Sequence, residues 1–164
     1  MTVPMTNDEL FVAVALSAWK TNVERADKLF SGLADDQLLK EIAPGKNRLI
    51  YLWGHLTAVH DAMLPLLGFG PRLYSEFDAP FLTNPDNAKS ATPSADSVRK
   101  AWKEVNGKLS DEFAKLRTDQ WLDKHTSVSD ADFAKEPLRN RLAVLLSRTS
   151  HVAYHVGQSA LANK

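Results

Sequence analysis

The chain contains no cysteine among its 164 residues, and this absence excludes several kinds of site. Disulfide bonds, thiolate nucleophiles and cysteine-based zinc sites all need a sulfur atom that the chain does not supply. Any metal ion must therefore take histidine or carboxylate ligands. Glycine (7) and proline (8) are also scarce, and with 44% apolar and 24% charged residues the composition is globular rather than disordered or repetitive.

Neither sign of charge is in excess, because 20 Lys and Arg balance 20 Asp and Glu. No domain-wide basic field exists to attract nucleic-acid phosphates, and no basic stripe or recognition-helix signature is present. No apolar run reaches the ~18 residues of a membrane span, and residues 1–9 lack the lysine or arginine of a secretory signal. We therefore expect a cytoplasmic protein that binds neither nucleic acid nor a membrane.

Apolar residues recur at helical spacing in four runs, whereas no alternating strand pattern of useful length occurs. Because the length is that of about one domain, we expect residues 1–164 to form a single all-α domain. Thr6 and Glu9 form a capping-box pattern at the start of the first helix, predicted at roughly 6–31. Asn47 is the expected N-cap of the second helix, which continues to residue 67 with Asp61 as the only fixed charge after residue 48.

The third and fourth predicted helices both begin near a proline. Thr92 before Pro93 marks the third, whose apolar residues follow in steps of three and four up to Leu116, and Pro137 opens the fourth. The connection 68–91 is long enough to act as a crossover that leaves the second and third helices parallel, whereas the links 32–46 and 118–136 join antiparallel neighbours. The expected fold is a four-helix bundle in up-down-down-up order.

Three of the five histidines have the pattern of a metal site. His151 and His155 are four residues apart on the last helix, where they share one face with Gln158. His55 lies in a nearly charge-free part of the second helix, where an unsatisfied imidazole would be costly. A shared divalent ion would satisfy all three imidazoles. The alternatives are three satisfied core histidines or a site that has degraded beyond metal affinity.

Three neutral imidazoles would leave a divalent ion with its full charge and an open position, as in catalytic rather than structural sites. Such an ion could activate a thiol or a water molecule. Val152 follows His151 at the place where a zinc protease has its general-base glutamate, so peptide hydrolysis by that route is disfavoured.

The roles of the other polar candidates stay open. We expect His60 to be a core histidine rather than a fourth ligand, and His125 to be an exposed loop residue. Gln158 either orients a ligand imidazole or is simply a polar residue near a helix end. Arg148 is expected to be structural, with an anionic substrate as its alternative partner. The 68–91 crossover either closes over the metal or packs on the bundle without touching it, and the four tryptophans are expected in the core.

Two motifs give the chain a family resemblance. The Trp-Gly-His-Leu step of residues 53–56, the crossover after residue 68, and the His-Val-Ala-Tyr-His-Val-Gly-Gln run of residues 151–158 together resemble the DinB-like metalloprotein superfamily. The resemblance spans roughly residues 6–162 and implies an all-α bundle, often a homodimer, with a divalent metal on His55, His151 and His155. Relatives often carry an acidic residue about where His60 stands, so no role of that acid transfers to this chain.

The resemblance also implies a class of function. Characterised relatives include transferases that attach low-molecular-weight thiols such as bacillithiol or mycothiol to electrophiles. We therefore expect a metal-dependent enzyme with Zn²⁺ or Ni²⁺, or else iron or manganese, that performs thiol transfer or, second, hydrolysis. The alternative is a dimeric, stress-associated metal- or ligand-binding protein without catalysis. Small residues on one side of the last helix would admit a neighbouring helix of the same bundle or a second subunit: Ala143, Ser147, Ser150 and Gly157.

Overall fold

The computed structural model describes residues 4–86 and 92–162, and within those ranges every regular element is helical. The α-helices are α1 (Asn7–Ser31), α2 (Asp35–Leu38), α3 (Leu49–Leu66), α4 (Ala95–Phe113), α5 (Asp130–Lys135) and α6 (Arg141–Ala162). The all-α prediction is confirmed. The short helices α2 and α5 lie inside the two segments predicted as links, where their four and six residues were too few to give a helical period.

The predicted capping box starts α1. The Thr6 hydroxyl accepts a hydrogen bond from the Glu9 backbone N–H at 3.3 Å, and the Glu9 carboxylate accepts from the Thr6 N–H at 2.7 Å. These two bonds satisfy backbone donors that the first turn of a helix leaves free. The predicted first helix, roughly 6–31, is confirmed.

The start of α3 differs from the prediction by one residue. Arg48, not Asn47, is the N-cap, and its side chain makes no capping bond. Instead, the Arg48 backbone N–H donates to the Asp86 carboxylate at 2.6 Å, while the Arg48 guanidinium pairs with the same carboxylate at 2.7 Å. The cap is therefore supplied by a residue 38 positions away, which local sequence cannot reveal.

The starts of α4 and α6 also lie after the predicted prolines. Ser94 caps α4, because its hydroxyl accepts from the Ser97 N–H at 3.2 Å, and the helix ends at Phe113 rather than at Leu116. Pro137 precedes a turn, and the Asn140 side chain accepts from the Ala143 N–H at 2.9 Å at the start of α6. Both corrections have one cause: a side-chain cap a few residues after the proline starts the helix.

The long helices pack in pairs, with α1 along α6, α3 along α4, and α3 also against α6. All four tryptophans are buried, as predicted. By contrast, Ser147, Ser150 and Gly157 are exposed, so the small-residue side of α6 faces away from the other helices. None of the helices within the described ranges is long and apolar enough to cross a membrane.

The crossover after α3 is folded and attached to that helix. It forms a 3₁₀ turn at Ser75–Phe77 and a π-helical turn at Ala79–Thr83, and its predicted end, residues 87–91, lies outside the described ranges. The fully buried Asp61 carboxylate of α3 accepts from the Arg72 guanidinium at 2.9 Å and from the backbone N–H groups of Leu73 and Tyr74 at 2.8 and 3.0 Å. Charge-assisted bonds of this kind fix the crossover on α3.

Candidate metal centre

The three predicted histidines meet between α3 and α6. His151 Nε2 lies 3.2 Å from His55 Nε2 and 3.0 Å from His155 Nε2. One nitrogen from each ring lies within 4.8 Å of the other two, and all three side chains are partly buried. Among the described residues, no aspartate or glutamate belongs to this group. It could bind a metal ion.

Two of the three imidazoles are held in a defined tautomer. His55 Nδ1 lies 2.9 Å from the Phe81 carbonyl oxygen, which can only accept, so this nitrogen carries the proton. His155 Nδ1 lies 2.8 Å from Gln158 Oε1, and the Gln158 amide nitrogen donates to the Tyr154 hydroxyl at 3.0 Å. Both rings therefore direct an unprotonated Nε2 toward His151, which is the arrangement that metal-bound histidines have.

The three ring nitrogens are better suited to binding a cation than to hydrogen-bonding one another. His151 Nε2 can carry one proton at most, so it can donate to only one of its two neighbours. The other contact, at 3.0 or 3.2 Å, then joins two nitrogen lone pairs. A divalent ion among the three nitrogens would turn this repulsion into three bonds, and imidazole is a ligand that Zn²⁺ and Ni²⁺ accept well.

The electrostatic environment favours the neutral form of the two histidines on α6. Burial, followed by the effects of His155, His55 and Arg148, lowers the pKa of His151 to about 4. Burial also lowers the pKa of His155, although the hydrogen bond to Gln158 acts in the opposite direction. Neutral imidazole is the form that binds metals, so no proton has to be displaced from these rings near pH 7.

His60 is a core histidine, as predicted. It is fully buried, and its Nδ1 lies 2.8 Å from Asn106 Oδ1, while the Asn106 amide nitrogen donates to the Trp102 carbonyl. Burial is the main cause that lowers the pKa of His60 to about 3. Its Nε2 has no hydrogen-bond partner among the described residues, and it does not belong to the three-histidine group.

The other three polar candidates, Arg148, His125 and Gln158, are all partly buried. Arg148 Nε is buried and has no hydrogen-bond partner in the described part of the chain. His125 lies in a loop but is partly buried rather than exposed, and its backbone N–H bonds to the Arg139 carbonyl at 3.4 Å in the turn before α6. Gln158 contacts the His155 ring, which is one of the two roles considered for it.

Two other groups at the centre could not be recognised directly from the sequence. The Phe81 carbonyl belongs to the backbone of the crossover, so no side-chain motif announces it. The Tyr154 hydroxyl orients Gln158 from the exposed side of α6. Gly54, a buried glycine inside a helix, was the available signal, since such a residue often marks a close approach of another segment.

Comparisons with known proteins bear on the family and the fold of the chain. The sequence model of the DinB superfamily matches residues 18–159. No curated protein matches the chain. The crystal structure of a conserved protein from Enterococcus faecalis has a TM-score of 0.64 and 14% identity, over 97% of this chain and 96% of that one. At that identity the likeness shows the fold alone.

Proposed function

Because this chain belongs to the DinB superfamily, as its histidine motifs predicted, we propose that it is a divalent-metal-dependent enzyme whose ion is bound by His55, His151 and His155. The observation that carries the proposal is the convergence of one ring nitrogen from each of the three histidines within 4.8 Å. The hydrogen bonds from His55 and His155 to fixed oxygen acceptors support it further, because they present Nε2 lone pairs to one point before any ion arrives.

The expected chemistry is activation of a thiol, and second of a water molecule. A Zn²⁺ or Ni²⁺ ion on three neutral imidazoles supplies a Lewis acid that lowers the pKa of a bound thiol or water. Iron fits the same ligands, whereas manganese prefers oxygen donors and fits less well. Since the chain has no cysteine, the thiol in a transfer reaction has to come from a small cosubstrate. The protein's own residues hold the imidazoles in place.

We also propose the four-helix bundle in up-down-down-up order. Contacts at both ends of α3 and α6 support an antiparallel pair: His55, near the start of α3, meets the later half of α6, and the Arg141 guanidinium at the start of α6 donates to the Leu67 carbonyl at 3.2 Å. The contact between Phe69, just after α3, and Phe113 at the end of α4 supports a parallel pair.

We propose further that the protein is a homodimer, as the family resemblance implies. The surface shared by α1 and α6 supports this, because Phe11, Val14 and Leu146 there are 70%, 60% and 48% exposed around an apolar groove. Exposed apolar patches of this kind mark interaction sites, and a two-fold axis pairs such a patch with itself. Light scattering should give a dimer mass that the Phe11→Glu/Val14→Glu variant loses.

Metal content tests the site itself. Protein purified without a polyhistidine tag should contain close to one metal ion per chain by mass spectrometry, and a His151→Ala/His155→Ala variant should contain almost none. Negligible metal in both proteins, persisting after reconstitution with Zn²⁺ and with Ni²⁺, would overturn the metal centre.

The reaction class is tested separately with Co²⁺-substituted protein. Bacillithiol, mycothiol or glutathione should change the d–d absorption spectrum, because a thiolate that binds the ion alters its ligand field. If metal is bound but none of the thiols changes the spectrum, thiol transfer is wrong, and hydrolysis or a metal-binding role without catalysis replaces it.

A further inference from the structure

We propose that the crossover is part of the metal centre through its backbone: the Phe81 carbonyl positions His55, and Gly54 is the residue that lets it come close enough. This inference rests on the proposed metal site and extends it. Gly54 and Phe81 are positioning residues, since they act on the ion only through His55.

The first observation is the hydrogen bond itself. His55 Nδ1 donates to the Phe81 carbonyl oxygen at 2.9 Å. A carbonyl oxygen cannot donate, so this contact keeps the proton on Nδ1 and leaves Nε2 free for an ion. His155 receives the same support from Gln158, one turn further along its own helix. Of the two supported imidazoles, only that of His55 therefore depends on a segment outside α3 and α6.

The second observation explains why this carbonyl is free. Phe81 lies in the π-helical turn Ala79–Thr83, which ends at Asn84. The last backbone bond of this turn runs from the Asn84 N–H to the Ala79 carbonyl at 3.1 Å. The carbonyls at the end of a helical turn need donors from outside it, and the imidazole of His55 supplies one to Phe81.

The third observation concerns Gly54. A Cβ atom added at Gly54 would lie 2.3 Å from two atoms of the Phe81 ring, so no larger residue fits without moving that ring. The helical glycines Gly107 and Gly157 have nothing within 4 Å of the same added atom. Glycine is a poor helix former, and in the buried middle of α3 the close approach of Phe81 accounts for it.

The position of Phe81 is constrained on both sides. Its ring is fully buried and packs against Phe77 at a centroid distance of 5.2 Å. Beyond it, the Tyr51 hydroxyl donates to the Asn84 carbonyl at 2.8 Å. Before it, the Asp61 carboxylate holds the first part of the crossover on α3. An obstacle at residue 54 cannot be avoided by a local shift, so it must displace the carbonyl from His55.

The test compares three glycine substitutions in the metal-loaded protein. Gly54→Ala should weaken Zn²⁺ binding about 10- to 100-fold, the range for loss of a hydrogen-bond partner of a metal ligand. Gly107→Ala and Gly157→Ala, which add the same methyl group to a helix, should bind Zn²⁺ within about threefold of the unmodified chain, because nothing obstructs the added atom. Affinity is measured by competition with a chromophoric chelator, and circular dichroism checks that each variant is folded.

A second variant separates positioning from general damage to α3. Gly54→Ala/Phe81→Ala removes the ring that the new methyl group would strike but keeps the backbone carbonyl at position 81. It should recover most of the lost Zn²⁺ affinity. If this variant does not fold, the tautomer of His55 in the unmodified chain decides whether the Phe81 carbonyl positions that ring.

The tautomer of His55 can be read without any substitution at position 54 or 81. In metal-free protein, ¹⁵N nuclear magnetic resonance should find His55 protonated at Nδ1, with a proton that exchanges slowly, and the signal should vanish in His55→Gln. Protonation at Nε2 instead, or Zn²⁺ binding by Gly54→Ala as tight as that by Gly107→Ala, would overturn the inference. Absence of metal from the unmodified chain would overturn the metal centre, whereas the positioning of His55 by the Phe81 carbonyl is decided separately, because the tautomer measurement needs no metal.

Discussion

Helix α3 carries two histidines five residues apart, and their surroundings differ in one decisive way. His55 faces α6 and His60 faces α4. Each has its Nδ1 bonded to a neutral oxygen acceptor, the Phe81 carbonyl at 2.9 Å and the Asn106 side chain at 2.8 Å. Each ring therefore has an unprotonated Nε2. His55 points that nitrogen at His151, whereas that of His60 has no partner among the described residues.

Burial adds to the difference. His60 is fully buried between the rings of Trp19 and Trp102, at centroid distances of 4.7 and 5.1 Å, whereas His55 is partly exposed. An apolar site that resists a proton on His60 resists a metal cation for the same reason. Defined tautomers thus occur both in a core histidine and in a histidine of the three-histidine group. What distinguishes the candidate metal centre is that several imidazoles converge at a place that solvent can reach.

Removal of each histidine in turn should show the largest difference between His55 and His60. His55→Ala should weaken Zn²⁺ binding by more than about 100-fold, beyond the range for outer hydrogen-bond partners, because a ligand itself is lost. His60→Ala should leave the Zn²⁺ affinity nearly unchanged. Chelator competition measures both. Equal losses in the two variants would mean that His60 belongs to the site.

A second test uses the acid stability of the metal-free protein. Because the pKa of His60 is about 3 in the folded chain and near 6.5 when unfolded, the unfolded chain takes up the proton first as the pH falls. The contribution of neutral His60 to the unfolding free energy is fully present above pH 6.5. It is lost as the pH falls toward 3.

The unmodified chain should therefore lose about 2 kcal/mol more unfolding free energy than His60→Gln between pH 7.5 and pH 5. Urea unfolding at the two pH values measures the difference. The titration of His151 is present in both proteins and therefore cancels when they are compared. Equal losses would show that His60 is not held neutral by its burial.

The smallest expected effect comes from the matched pair of amide side chains, Gln158 and Asn106. Gln158→Leu should weaken Zn²⁺ binding about 10-fold, because His155 loses the acceptor that directs its Nε2. Asn106→Leu should leave Zn²⁺ binding unchanged and lower the unfolding free energy by about 1–3 kcal/mol, since a buried imidazole N–H loses its acceptor. The reverse assignment, with metal affinity following Asn106, would contradict the comparison.

Those parts of the molecule that depend on local spacing could be predicted from the sequence. The four long helices follow from apolar periodicity, and the meeting of His151 with His155 follows from the pitch of one helix. Helix ends were less predictable where the cap is distant. Asn47 is a good local candidate, yet Asp86 supplies the acceptor for the Arg48 N–H through a contact that only the folded chain creates.

The hydrogen-bond acceptors of His55 and His155 were harder still to predict from the sequence. Gln158 could be suggested because it is one turn from His155, but the acceptor for His55 is a backbone oxygen of the crossover, 26 residues away. Every residue has such an oxygen, so residue type carries no information about it. Gly54 indicates the contact only once the path of the crossover over α3 is known.

That backbone acceptor has a consequence for how such a site can diverge. A substitution at position 81 changes the ring that packs over Gly54 but cannot delete the carbonyl, whereas any change at His55 deletes the ligand. The side chain at position 81 can therefore change while the imidazole beneath it keeps its support. Selection at position 81 would therefore preserve the path of the backbone. It would constrain the residue type only through the size of the side chain.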